Sequence, residues 1–123
     1  MPKDLFATRI ENRHGGGVPD LYCVWKGLPF WIELKAAKNG VVKLSPHQVA
    51  WHTAHGARGG LSFFLAKAPS SRYFHLISGR YATDLVQGSR IEDLGSVFLG
   101  HDALWAGVSD VIWAHYRAAV AKM

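Results

Sequence analysis

The sequence predicts an α/β fold: a mixed central β-sheet flanked by helices and followed by a C-terminal helix. Three observations lead to it. Val18–Trp25 and Phe30–Ala36 are rich in β-branched and aromatic residues and are separated by the breaker Lys26-Gly27-Leu28-Pro29, the pattern of a hairpin. A capped helical segment then separates the second of these strands from a third apolar run, LSFFLA at Leu61–Ala66. A β-α-β crossover of this kind places its two strands parallel. Finally, Leu104, Val108, Val111, Ile112, His115 and Ala119 recur at helical spacing near the end of the chain.

Taken in order, Lys3 to about His14 reads as a helix with Leu5, Phe6 and Ile10 facing inward and Glu11 near its end. Gly15-Gly16-Gly17 ends it, since glycines allow positive φ and close backbone approach. In the hairpin, a four-residue loop makes facing residue numbers sum to 55, so Asp20 lies opposite Lys35, Tyr22 opposite Glu33 and Val24 opposite Trp31. Side chains alternate along a strand, so Asp20, Tyr22, Glu33 and Lys35 share one face. Leu21, Cys23, Trp25, Ile32 and Leu34 share the other, an apolar face suited to packing on a helix. A one-residue slip would turn Asp20 to the wrong side.

Asn39-Gly40 marks a turn in what reads as a mobile basic loop flanked by Lys38 and Lys43. Ser45-Pro46-His47-Gln48 opens a helix to about Arg58, with Ser45 as N-cap, Pro46 in the first turn and Gln48 completing a capping box. His52 and His55 stand at i, i+3, but no cysteine or third close ligand supports a zinc site. Tyr73–Ser78 is a further strand, Arg80–Gln87 a short helix, and Ser96–Leu99 an extended stretch. Asp102 is expected to cap the last helix, Ala103 to about Ala121. Trp105, Trp113 and Tyr116 make that helix apolar on more than one side, so it must pack inside the chain or against a second copy.

Two carboxylates and an ammonium on one strand face have two readings. One is an exposed ion pair, which is common and contributes little. The other is a cation site. Neighbouring carboxylates repel, and oxygen ligands with room for water suit Mg²⁺ or Mn²⁺. Such an ion acidifies water and neutralises phosphate charge, and a nearby lysine stabilises added negative charge.

Pro19-Asp20, twelve residues, then Glu33-Leu34-Lys35 resembles the PD-(D/E)xK nuclease signature. With Glu11 upstream, Gly-Val-Pro-Asp-Leu, Trp-Ile-Glu-Leu-Lys-Ala and Leu-Ser-Pro-His-Gln, the chain is similar to the VRR-NUC branch and its stand-alone, phage-type Holliday-junction resolvases. The resemblance covers about residues 8 to 66. It implies a restriction-endonuclease-like core, with Asp20, Glu33, Glu11 and the Leu34 carbonyl holding Mg²⁺ or Mn²⁺, Lys35 positioning or activating water, and Gln48 supporting it. Arg9, Arg13, His14, Gly16, Lys38 and Lys43 are then candidates to meet DNA.

Composition is compatible with this reading. The chain of 123 residues reads as one domain, 1–123, with 49% apolar residues and no apolar run long enough for a membrane span. Its N-terminus lacks the apolar core of a signal peptide. One cysteine, Cys23, makes no internal disulfide and fits a cytoplasmic location. The net charge is +5, and residues 1–60 hold eight basic residues against four acidic ones, three of which are Glu11, Asp20 and Glu33. That balance suits a polyanion. The expectation is a metal-dependent, structure-selective DNA endonuclease, a dimeric Holliday-junction resolvase above all. The alternatives are a nuclease for flaps, single strands or duplex, or a non-catalytic DNA-binding module of the same fold.

Overall fold

A computed structural model describes residues 1–11 and 16–123. Six strands form one mixed sheet in sequential order: β1 (Phe6–Arg9), β2 (Leu21–Trp25), β3 (Leu28–Ala36), β4 (Ser62–Lys67), β5 (Tyr73–Ser78) and β6 (Ser96–Leu99). The β3–β4 pair is parallel and the other neighbours are antiparallel. The parallel pair is joined through α1 (Pro46–Ala57), as the crossover pattern predicts. A 3₁₀ turn at Gly79–Tyr81 leads into α2 (Ala82–Val86), another occupies Ile91–Asp93, and α3 (His101–Ala121) ends the chain.

The sheet buries a core on each face. On one side Cys23, Trp25, Phe30, Ile32, Phe63 and Leu76 pack against Leu104, Trp105, Val108 and Ile112 of α3. On the other, Phe64, Ala66 and Ile77 pack with Val42, Ile91 and Ala82 and Leu85 of α2, with Val49 of α1 beside them. Burial pushes the Cys23 thiol up to about 11, which leaves it an inert core group.

The N-terminal segment differs from its sequence reading. Phe6–Arg9 is a strand rather than part of a helix, paired antiparallel to β2 with Phe6 opposite Val24 and Arg9 opposite Leu21. Leu5, Phe6 and Ile10 fit a helical face equally well, but the exposed edge of β2 offers hydrogen-bond partners that no local pattern reveals. The hairpin turn is also tighter than expected. Lys26 and Gly27 alone form it, at φ 54° and 77°, the positive values a type I′ turn needs. Facing numbers therefore sum to 53, with Tyr22 opposite Trp31 and Leu21 opposite Ile32. The offset from the expected register is two residues, so every side chain keeps its face.

Two smaller expectations also change. The loop after β3 is pinned rather than mobile. Lys38 and Val41 exchange backbone bonds of 2.9 and 3.1 Å, and the Gly40 and Asn39 carbonyls accept from the Ile91 nitrogen (2.9 Å) and the Arg90 guanidinium (3.0 Å). At the start of α3, Gly100 at φ 83° is the N-cap, and Asp102 lies in the first turn as a charge rather than as a cap. Among the described residues, no helix is long and apolar enough to cross a membrane.

Candidate functional site

At the carboxyl end of β3 three alternating residues, Trp31, Glu33 and Lys35, point to the face that α1 covers. The first turn of α1 supplies the partner that holds them together. Ser45 caps the helix, its hydroxyl accepting from the Gln48 nitrogen (3.1 Å), while the Gln48 side-chain oxygen accepts from the Ser45 nitrogen (3.0 Å). That same oxygen also accepts from Lys35 Nζ at 2.9 Å. The Gln48 amide nitrogen donates to Glu33 Oε1 at 2.8 Å. A helix cap and the Lys35–Gln48–Glu33 chain thus share one side chain, as the capping-box spacing and the resemblance separately suggest.

Asp20 arrives from the other side. The β1–β2 ladder continues past β1 through a bond from the Ile10 nitrogen to the Asp20 carbonyl (2.8 Å). The Asp20 carboxylate accepts from the Leu34 nitrogen at 2.8 Å. Continuing the β2–β3 register puts Pro19 opposite Leu34. A proline has no N–H, so β2 offers the Leu34 carbonyl no ladder donor. Pro19 therefore ends the pairing where the chain needs a free carbonyl and a carboxylate side by side, a role for it that residue spacing alone does not reveal.

Glu33 is 2% exposed. Burial first, then the adjacent Asp20 carboxylate, pushes its carboxyl from the ordinary 4.5 up to about 8, against the opposing pull of Lys35. At neutral pH the bare site therefore holds a proton on Glu33, and a cation between the two carboxylates would replace it. One oxygen of each acid is held by the protein, Asp20 by the Leu34 nitrogen and Glu33 by the Gln48 amide, and the two carboxyl groups also meet each other. Two carboxylate oxygens and a backbone carbonyl, with water completing the shell, fit Mg²⁺ or Mn²⁺.

The other candidate residues fall differently. Glu11 follows Ile10 at the rim and is exposed. Among the described residues, no three His, Cys, Asp or Glu side chains gather to hold a metal. Leu34, expected in the apolar face, is 51% exposed because the α3 core ends at Ile32. Arg9 pairs with Leu21 and so lies on the α3 face, away from Glu33. Lys38 and Lys43 are exposed beside the pinned turn, and Gly16 is exposed at the rim. Arg13 and His14 lie outside the described residues.

Two supporting features are only partly legible in the sequence. Gly17, at φ 74°, sits so close to α1 that a methyl group there would collide with the His47 carbonyl and the Gln48 nitrogen. Gly17 thus lets the chain cross the start of the helix that carries Gln48. One turn further on, His52 is fully buried, and its Nδ1 lies 2.7 Å from Ser62 Oγ, tying α1 to β4. Burial lowers its pKa to about 4, so it is a neutral structural imidazole.

No protein-family model matches the sequence, and no curated protein matches it either. Among solved structures, the chain is similar to Hjc, a Holliday junction resolvase from the archaeal hyperthermophile Archaeoglobus fulgidus, with a TM-score of 0.50 and 19% identity. The match covers 63% of this chain and 65% of that one, so a third of Hjc has no counterpart here. At that identity the likeness concerns the fold: a mixed sheet flanked by helices, of the resolvase and restriction-endonuclease-like type.

Proposed function

We propose that the protein is a divalent-metal-dependent DNA endonuclease of the VRR-NUC type, selective for branched DNA and above all for Holliday junctions. One observation carries this: Asp20 and Glu33 sit together on one sheet face with Lys35, and Gln48 binds Glu33 and Lys35 into one unit. An exposed ion pair would not need a buried acid, a shared amide or a proline-terminated ladder.

In this reading Asp20, Glu33 and the Leu34 carbonyl hold the cation. Mg²⁺ or Mn²⁺ there would supply charge neutralisation at the scissile phosphate and a more acidic water. The chain's own groups supply the rest. Asp20 is aimed by the Leu34 N–H. Lys35, fixed through Gln48, presents its remaining N–H groups to the attacking water and to the phosphoryl oxygen on which charge grows. Water attacks phosphorus in line with the leaving oxygen; as the new P–O bond forms, the P–O bond to the leaving strand breaks, the attacking water gives up a proton to bulk solvent, and the leaving oxygen takes one from solvent. Lys38 and Lys43, which follow β3 in the chain, offer exposed positive charge.

Acting as a dimer, two copies would each nick one strand of a two-fold junction. Exposed Trp113 and Val120, 42% and 65% accessible on α3, are apolar surface that a second copy could cover. Incubation of a four-way junction and a linear duplex, each with Mg²⁺ or with EDTA, tests the proposal. Junction cutting that needs Mg²⁺ and is lost in Asp20→Asn is expected. Full activity in Asp20→Asn, or cutting in EDTA, would remove the metal assignment.

A further inference from the structure

The strand positions that precede the reacting groups are aromatic. Two residues before Glu33 on the same face lies Trp31, and opposite it on β2 lies Tyr22, two residues after Asp20. Tyr22 and Trp31 have ring centroids 5.0 Å apart, and Trp51 of α1 approaches Trp31 at 5.3 Å. Trp51 stands one helical turn after Gln48, so the helix contributes to both rows. The row of Glu33, Lys35 and Gln48 is followed by the row of Tyr22, Trp31 and Trp51, one strand repeat or about 7 Å away.

All three rings are half-buried and keep accessible surface. They are also held in place. His55 stacks on Trp51 at 4.5 Å and 22°, and His52 meets its edge at 5.2 Å while bonded to Ser62. The open face continues from Tyr22 over Val24 to Phe6, which is 56% exposed. A core needs no such row at its rim. A protein partner seated there would cover the groups that must reach the phosphate.

We propose that Tyr22, Trp31 and Trp51 form a stacking platform for one unpaired base of the strand being cut, in the nucleotide next to the scissile phosphate. This rests on the nuclease reading above and names the feature of the substrate that is selected. Inside continuous duplex each base is stacked on its neighbours and cannot reach a protein ring. At a branch point, bulge or flap a base can leave the stack at low cost and lie on an aromatic face. Rigid rings avoid the ordering cost that mobile ones would add.

The test compares binding of an end-labelled duplex carrying one unpaired base with that of the same duplex fully paired, by fluorescence anisotropy in EDTA, for wild type, Tyr22→Leu, Trp51→Leu and Trp51→Phe. The wild type is expected to prefer the unpaired base. Each leucine variant should lower that preference on the order of tenfold, with Trp51→Phe restoring most of it. Folded leucine variants with the wild-type preference would overturn the platform and leave the nuclease reading intact. If the leucine variants do not fold, wild type bound to DNA with 2-aminopurine at the unpaired position decides, because stacking on the rings must quench its emission and unchanged emission overturns the proposal. A wild type that binds neither DNA and cuts none would remove the nuclease reading and the platform together.

Discussion

Replacing Glu33 by glutamine should make the protein more stable in alkaline, metal-free buffer while abolishing cleavage. The Glu33 carboxyl titrates at 4.5 in the unfolded chain and at about 8 when folded. Between those values the folded state binds the extra proton, so stability falls as pH rises and is lowest above pH 8. One pKa unit is worth about 1.4 kcal/mol, so full ionisation costs up to about 5 kcal/mol. His52, lowered to about 4, has the opposite slope between pH 4 and 6.5, and His55 and His75 are also lowered by burial. The clean window is therefore pH 6.5 to 8, where the Glu33 contribution amounts to roughly 1–2 kcal/mol. For a domain of this size that is a fall in Tm on the order of 3–8 °C. Thermal melts followed by circular dichroism in EDTA at pH 6.5 and 8 should show this fall in the wild type and not in Glu33→Gln. Millimolar Mg²⁺ should remove most of it from the wild type by occupying the site. Parallel pH dependence in the two proteins would refute the assignment of a trapped proton to Glu33.

Three further outcomes are expected. Lys35→Ala should cut junction DNA about 100–1,000-fold more slowly with Mg²⁺ still binding by calorimetry, and unchanged turnover would exclude Lys35 from the reaction. Gln48→Ala removes the cap partner and the Lys35 anchor together; it should cost about 1 kcal/mol in denaturant melts and on the order of 10–100-fold in rate. A loss of stability without a loss of rate would make Gln48 a cap alone. Light scattering should find a dimer in solution, and a monomer that still resolves junctions by paired nicks would defeat the two-fold scheme.

Much of the site was legible because its logic is local. Alternation along two neighbouring strands puts Asp20, Glu33 and Lys35 on one face whatever the exact turn, provided the register error is even, and here it is two residues. The Ser45–Gln48 spacing announces the start of α1 without help from the rest of the chain. What could not be read depends on distant partners. Phe6–Arg9 is a strand because β2 has an open edge. Lys26 adopts positive φ, more familiar in asparagine or glycine, because the hairpin closes on Trp25 and Leu28. The loop at Asn39-Gly40 is held by Arg90 and Ile91, half a chain away, so its basic residues alone suggested freedom it does not have. The proton on Glu33 has no local mark in the sequence at all; it follows from burial under α1 and from the approach of Asp20.

For the nuclease proposed above, the double duty of Gln48 has a consequence in the cell. The amide that closes the first turn of α1 also steadies the lysine, so a chain whose helix has frayed loses its cutting apparatus at the same moment. A half-folded copy, newly made or heat-damaged, would then cut any DNA it meets far more slowly. In that reading full cutting competence arrives with the completed architecture.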